Sequence, residues 1–593
     1  MKTTKTKFLS TLLLAFAVVM ASCADLSVQN TNEPTAESVL GDPANTLKLL
    51  SGGYYDFSTT IVTSWGVAMH MFTDQATSTN LFRNYWNFSE EPRLQLNNTT
   101  TYGATATFTS FFGGFNSSVA TSNIFIKSIE VDGNSILDGA TDITNDVLAQ
   151  AYFLRGLARG YLGLMYDQGY LIDENFDAAT DEAEFVPYTT IIDAAVADLD
   201  KAITLADASS TFTFNVMPNS DDVWTKAQFL DIANSFAARI AAGKARTASE
   251  AASLDWAAIK AYADAGLGGP NAQSTLTDFS PSNVGSSGEF ANYLADWLNF
   301  IVTGSPYDDP ATAEDDRGAG YNPVDVKQIH LLDPSYPTAY PADQASASVA
   351  GLAPATSDDP RLAYFQYTPN PGYLNPSRNA TLFTNYFSFR NFAGNDWWPS
   401  IFKVTLITET EVDLLRAEAQ LMSGNAAGAA ATLNASSSGT EATALSWDLP
   451  GYYYGYVAEN SLAGGHTMTG AESTAEFQWA LLREYSVELD LLGGSGLQWF
   501  FMRRHDLLQA GTALHYAVPG SELEILGLEN YTFGGADDAG QAGTASGANT
   551  WTDLANKAGL KVRAKVANPE HVVPAQMDNA PAIDAPKSEA KNF

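Results

Sequence analysis

Rings and planar polar side chains crowd into three short stretches of this chain. "FTDQATSTNLFRNYWNF" (Phe72–Phe88) brings Asp74, Arg83, Asn84, Tyr85, Trp86 and Asn87 close together. "NDWWPSIF" (Asn395–Phe402) sets Trp397 and Trp398 before Pro399, and "GYYYGYVAEN" (Gly451–Asn460) holds Tyr453 among other tyrosines between glycines. A flat apolar ring can stack on the C–H face of a sugar, and Asp, Asn and Arg can meet its hydroxyls. Adjacent residues of an extended segment point to opposite sides, so Tyr85 and Trp86 cannot both enter a core there. One ring is therefore expected at the surface. The plain alternative for each stretch is packing on the protein's own body, and the third stretch could equally touch a partner protein.

Other chemistry finds no pattern. Asp221-Asp222, Asp308-Asp309 and Asp315-Asp316 lack the Asp-x-Asp-x-Asp-Gly spacing of a calcium loop and read as solvated acidic turns. The six histidines show neither His-x-x-x-His nor HExxH spacing, so no metal enzyme and no cofactor is expected. Glu409 and Glu411, like Glu484 and Glu488, fall in helical stretches and do not mark the facing acid pair of a glycoside hydrolase. Trp297 and Trp499 have core-like neighbours. With 31 Lys plus Arg against 67 Asp plus Glu, the net charge of −36 repels phosphate backbones, which argues against nucleic-acid binding.

The single cysteine has a marked setting. Lys2, Lys5 and Lys7 precede the apolar run Phe8–Met20, and Ala21-Ser22 lead into Cys23. The run is short for a membrane span and suits a secretory signal over residues 1–22. The stretch resembles a bacterial lipobox with Met20 in place of the commoner Leu, so lipidation is expected at Cys23, with anchoring to a membrane by acyl chains.

The elements that must position the rings are helical. Apolar and small residues recur at helical spacing in Asp146–Gly169, with Arg155 and Arg159 on another face. Tyr188–Ala206, Thr225–Arg246, Asp255–Gly266, Thr408–Asn425 with the following "AAGAAATLNA", and Glu476–Leu492 repeat the pattern. The expected fold class is mainly α: degenerate tetratricopeptide-like (TPR-like) hairpins over about 145–266 and 408–505. Gly-, Pro-, Asn- and Ser-rich insertions lie at about 207–222, 267–405, 435–475 and 527–593. The span 267–405 is too long for a structureless loop and is expected to form a loop-rich lobe with short strands.

Six stretches in order then carry a resemblance: "CADLSVQNTNEPT" from Cys23, "AQAYFLRGLARGYLGLMYDQG" (149–169), "DDPRLAYF" (358–365), "EVDLLRAEAQL" (411–421), "LLREYSVELDLLGGSGLQWFFMRRHDLL" (481–508) and "AVPGSEL" (517–523). Together they resemble the SusD/RagB family of nutrient-binding outer-membrane lipoproteins, with Leu491–Gly494 standing where the family has an acidic residue and glycine. The resemblance implies one SusD-like domain over 23–593 with four TPR-like hairpins. It implies no catalysis, but capture of an oligosaccharide, or in some members a peptide, for a TonB-dependent SusC-like transporter. It places the protein at the outer membrane, lipid-anchored and facing the cell exterior. A secreted glycoside hydrolase and a protein-binding TPR-like scaffold are the rival readings from other classes.

Overall fold

The computed structural model describes residues 43–78, 84–218, 222–281, 323–340, 352–357, 359–367, 384–388, 405–436, 467–549 and 551–557. The leader 1–22 and Cys23 lie outside them, as do Arg83, Trp297, Trp397, Trp398 and Tyr453 and the acidic pairs Asp308-Asp309 and Asp315-Asp316.

The helices that matter here are, in chain order, α1 (Pro43–Ile61), α2 (Val67–Phe72), α3 (Trp86–Ser89), α4 (Thr105–Ile126), α5 (Thr144–Met165), α6 (Tyr188–Ala208), α7 (Lys226–Ala242), α8 (Trp256–Ala265), α9 (Val326–His330), α10 (Glu409–Met422), α11 (Ala426–Ala435), α12 (Thr474–Arg483), α13 (Leu497–Arg504) and α14 (Gly520–Ile525). Among the described residues, α1/α4, α5/α6, α7/α8 and α10/α11 pack as four pairs, and each pair packs on the next in chain order. Four pairs is the number the resemblance implies, and the first of them, α1/α4, lies ahead of the span 145–266 read as TPR-like. Local signals start the helices of the stack: Thr225 and Gln228 form a capping box on α7, while Asp255 and Thr408 accept from the first turns of α8 and α10.

Close approach sets the centre of the stack. A Cβ at Gly156 would lie 2.8 Å from Leu199, one at Gly160 2.3 Å from Ile240, and one at Gly163 2.5 Å from Ile192. These three glycines let α5 sink against α6 and α7. The arginine face of α5 is not a solvent face, because Arg155 and Arg159 are buried. Both arginines grip Asp198 of α6, Arg155 through two bonds of 2.8 and 3.0 Å and Arg159 at 2.7 Å.

Stretches far apart in the chain are joined by buried ion pairs. Arg361 meets Asp359 at 2.8 Å, Glu484 at 2.8 Å and Glu488 at 3.1 Å. Arg239 of α7 pairs with Glu411 of α10, while Arg504 of α13 holds Glu418 of α10 through two bonds of 2.6 Å. Arg503 has a different solution. Its guanidinium donates to the carbonyls of Leu164 (2.8 Å), Leu514 (3.0 Å) and Gly243 (2.9 Å). Leu164 lies in the last turn of α5 and Gly243 caps α7, so the charge sits where the helix carbonyls lack partners.

Strands are short and paired in antiparallel twos. Phe365–Tyr367 pairs with Tyr386–Ser388 and Asp278–Phe279 with Ile407–Thr408, which places short strands in the loop-rich span. No helix among the described residues is long and apolar enough to cross a membrane.

Candidate functional site

The ring-bearing segment begins where α2 ends. Every residue of α2 is buried, and the chain turns sharply at Asp74, whose φ is 54°. An antiparallel bridge between Ala76 and Val324 and a bond from the Thr77 N–H to the Pro323 carbonyl (2.9 Å) fasten the next residues to the loop-rich lobe. Beyond residues 79–83 the chain resumes at Asn84, with φ 58°, a conformation that Asn tolerates better than most residues.

Asn84 Nδ2 donates to the Gly103 carbonyl at 2.8 Å, and a Cβ on Gly103 would fall 2.6 Å from that amide. A larger residue there would push the Asn84 amide aside. Tyr85 is fully buried, edge-on to Trp65 with ring centroids 6.1 Å apart. Trp86 opens the single turn of α3 and is half-buried. Asn87 Nδ2 donates to the Tyr102 hydroxyl at 3.1 Å, and the Tyr102 ring lies parallel to Phe108 at 6.3 Å. Burial, only partly offset by the Asn87 bond, pushes the Tyr102 hydroxyl up to about 12, so it stays a donor at any physiological pH.

The outcome is three partly buried rings on one segment, Trp65, Trp86 and Tyr102, with Asn87 bonded to Tyr102 and Asn84 to the Gly103 carbonyl beside it. Each amide commits its nitrogen and can still offer an acceptor oxygen. Tyr102 accepts from Asn87 and can still donate. Rings beside such groups can stack on and hydrogen-bond a polyhydroxylated ligand. The sequence expectation of one buried and one partly exposed ring at 85–86 matches the structure, but a helical turn produces it instead of an extended strand. Trp65 and Tyr102 were missed. The only cue for Trp65 was its place between Ser64 and Gly66, and Tyr102 precedes Gly103, whose carbonyl Asn84 binds.

Two candidates are corrected by their burial. Tyr85 belongs to the core. Asp74 lies beneath the surface, where Arg93 Nη2 (2.6 Å) and Gln509 Nε2 (2.6 Å) bind its carboxylate. Lys327 and Arg93 outweigh the upward push of burial and hold its pKa below the usual range. Composition placed Asp74 beside the rings, but depth was decided by the turn at the end of α2.

Among the described residues, Asp74, Glu91 and Asp325 are the grouping with metal-like spacing, their oxygens within 4.8 Å of one another. The Lys327 ammonium fills it, in contact with Glu91 and 3.4 Å from both Asp74 and Asp325. It is a lysine-filled cluster and not a metal site. Three of the four acids weighed for hydrolysis are structural: Glu411, Glu484 and Glu488 are held by Arg239 and Arg361, whereas burial pushes the Glu409 carboxyl up. Trp499 is fully buried, its indole N–H on the Ala513 carbonyl at 3.0 Å.

No protein-family model matches the sequence, and no curated protein matches it. Solved structures do. The chain is similar to a SusD superfamily protein from Parabacteroides distasonis, with 14% identity, 82% of this chain and 98% of that chain covered, and a TM-score of 0.51. The fold is SusD-like. A SusD-like protein from Bacteroides fragilis (13% identity, 84% and 99% covered, TM-score 0.49) and a SusD-like carbohydrate binding protein from Bacteroides vulgatus (15%, 78% and 83%, TM-score 0.46) are also similar. Within the SusD-like fold, the partly buried rings lie on the segment between the first helix pair's members, α1 and α4.

Proposed function

We propose that this chain is a non-catalytic member of the SusD/RagB family that captures an oligosaccharide on the ring-bearing segment around Trp86. In this reading Cys23 carries the lipid that anchors it to the outer membrane, facing the cell exterior, and the captured glycan passes to a TonB-dependent, SusC-like transporter. The observation that carries the reading is the set of three partly buried rings, Trp65, Trp86 and Tyr102, with bonded amides, presented by a SusD-like fold. The six ordered motif stretches support the family assignment. Arg83, Trp397, Trp398 and Tyr453 remain contributors in this proposal.

The test is calorimetric and tryptophan-fluorescence titration of the chain beginning at Ala24 with neutral oligosaccharides and with peptides. Saturable glycan binding without product formation is expected. Trp86→Ala should weaken it about tenfold, or about 1.4 kcal/mol. Binding of peptides alone, or no binding by a folded chain, would remove the glycan reading. Labelled fatty acid should appear on the full chain and not on its Cys23→Ser variant.

A further inference from the structure

Asp74 at the end of α2, Glu91 and Arg93 just after α3, and Asp325 and Lys327 at the start of α9 share one buried cluster. Asp74 and Asp325 are 2% exposed, and Arg93 and Lys327 4%. Arg93 Nη2 binds Asp74 at 2.6 Å, and also donates to the Met71 carbonyl at 3.2 Å, while its Nη1 reaches the Phe88 carbonyl at 3.1 Å. Lys327 touches all three carboxylates. Gln509, from the segment after α13, donates to Asp74 at 2.6 Å and Glu91 at 3.2 Å. The Asp325 N–H meanwhile donates to the Gln75 carbonyl at 3.1 Å, beside the Ala76–Val324 bridge. The cluster therefore sits at the junction of the ring-bearing segment and the loop-rich lobe.

Its charge does not balance. Three carboxylates face two cations, so full ionisation leaves one uncompensated negative charge in a place that water barely reaches. We infer that this cluster is a proton-sensitive clamp, which holds the ring-bearing segment firmly to the loop-rich lobe while it keeps one shared proton and loosens when that proton leaves.

Asp325 is the residue that carries the proton. Burial first, and then the Asp74 and Glu91 charges against the pull of Lys327, push its carboxyl up to about 7. The groups facing Asp325 are Lys327 on its own helix, Asp74 from α2, Glu91 and Arg93 from beyond α3, and Tyr340 from the lobe. Tyr340 is pushed further above its ordinary value by burial and stays neutral. His70 of α2 bonds Gln75, and burial lowers it to about 4, so it is already neutral where Asp325 titrates. The sign follows from linkage. A carboxyl with a raised folded-state pKa binds more protons folded than unfolded between about 4 and 7. Its contribution is therefore complete below about 4, falls as pH rises to about 7, and is flat above.

The test is amide hydrogen exchange on the whole soluble chain at pH 5.5 to 8.5, corrected for intrinsic rates. Amides of 75–78, 84–91 and 323–327 should exchange several-fold faster at pH 8 than at pH 6, and those of α5 should not follow. Asp325→Asn mimics the protonated acid and should abolish the difference at the slow level. Glu91→Gln, at a less buried member, removes the excess charge and should flatten it as well, which keeps the test open if the Asp325→Asn variant folds poorly. A flat wild-type profile, or an unchanged profile in either folded variant, would overturn the clamp. No ligand enters the readout, so the clamp and the glycan reading can fail separately.

Discussion

The helical stack and the ring-bearing segment solve the problem of buried charge in opposite ways. In the stack, acids are matched by arginines, as Asp198 meets Arg155 and Arg159, Glu418 meets Arg504 and Glu411 meets Arg239. At the ring-bearing segment, three acids share two cations across three parts of the chain. The difference separates a part built to stay fixed from a part whose attachment depends on a proton.

The largest expected effect lies in the stack. Arg504→Ala leaves the fully buried Glu418 with His505 alone, and the loss should be about 3–5 kcal/mol in denaturant unfolding. A loss below about 1 kcal/mol would show that the pairs are incidental. Gly156→Ala comes next: its methyl meets Leu199 and the Ala195 carbonyl (3.1 Å), at a cost of about 1–3 kcal/mol read as a lower denaturant midpoint.

Acid titration sharpens the contrast in sign. Against the upward push of burial, Arg504 and His505 hold Glu418 down at about 2, below its ordinary 4.5. Its contribution is present above about 4.5 and is lost as pH falls toward 2, opposite to Asp325. Glu418→Gln should remove that acid-side slope while leaving the pH dependence of the clamp amides intact. The smallest effect belongs to the rings. Trp86→Ala should shift unfolding by under about 1 kcal/mol, since the ring is only half-buried. A large shift would make Trp86 a core residue and weaken its assignment to capture.

Helical spacing made α5 to α8 and α10 to α12 legible, with ends within a few residues except for α12, which stops at Arg483 where Glu484–Glu488 continue as a π-helical turn. α1 and α4 went unread because Ser, Thr and paired glycines dilute their stripes. They form because those small residues allow close crossing: a Cβ on Gly53 would meet Leu154 at 2.7 Å, and one on Gly114 would meet Thr60. The motifs that carried the resemblance turn out to be partners, since Arg361 of one stretch binds Glu484 and Glu488 of another, and Asp359 binds its Arg483. They report the scaffold and leave the ligand unspecified. At the site, composition picked out Trp86 and Asn87, but it could not rank depth. Asp74 and Tyr85 have the same residue types as a binding surface and lie inside because of one left-handed turn and one helical turn.

Arg503 has a consequence for how the chain is made. Two of the three carbonyls it fills belong to the ends of α5 and α7, which emerge hundreds of residues earlier during synthesis. Until residue 503 arrives, those two helix ends lack the cation that completes them. The stack is thus locked from its far end, and a chain made only that far holds an unfinished, openable body.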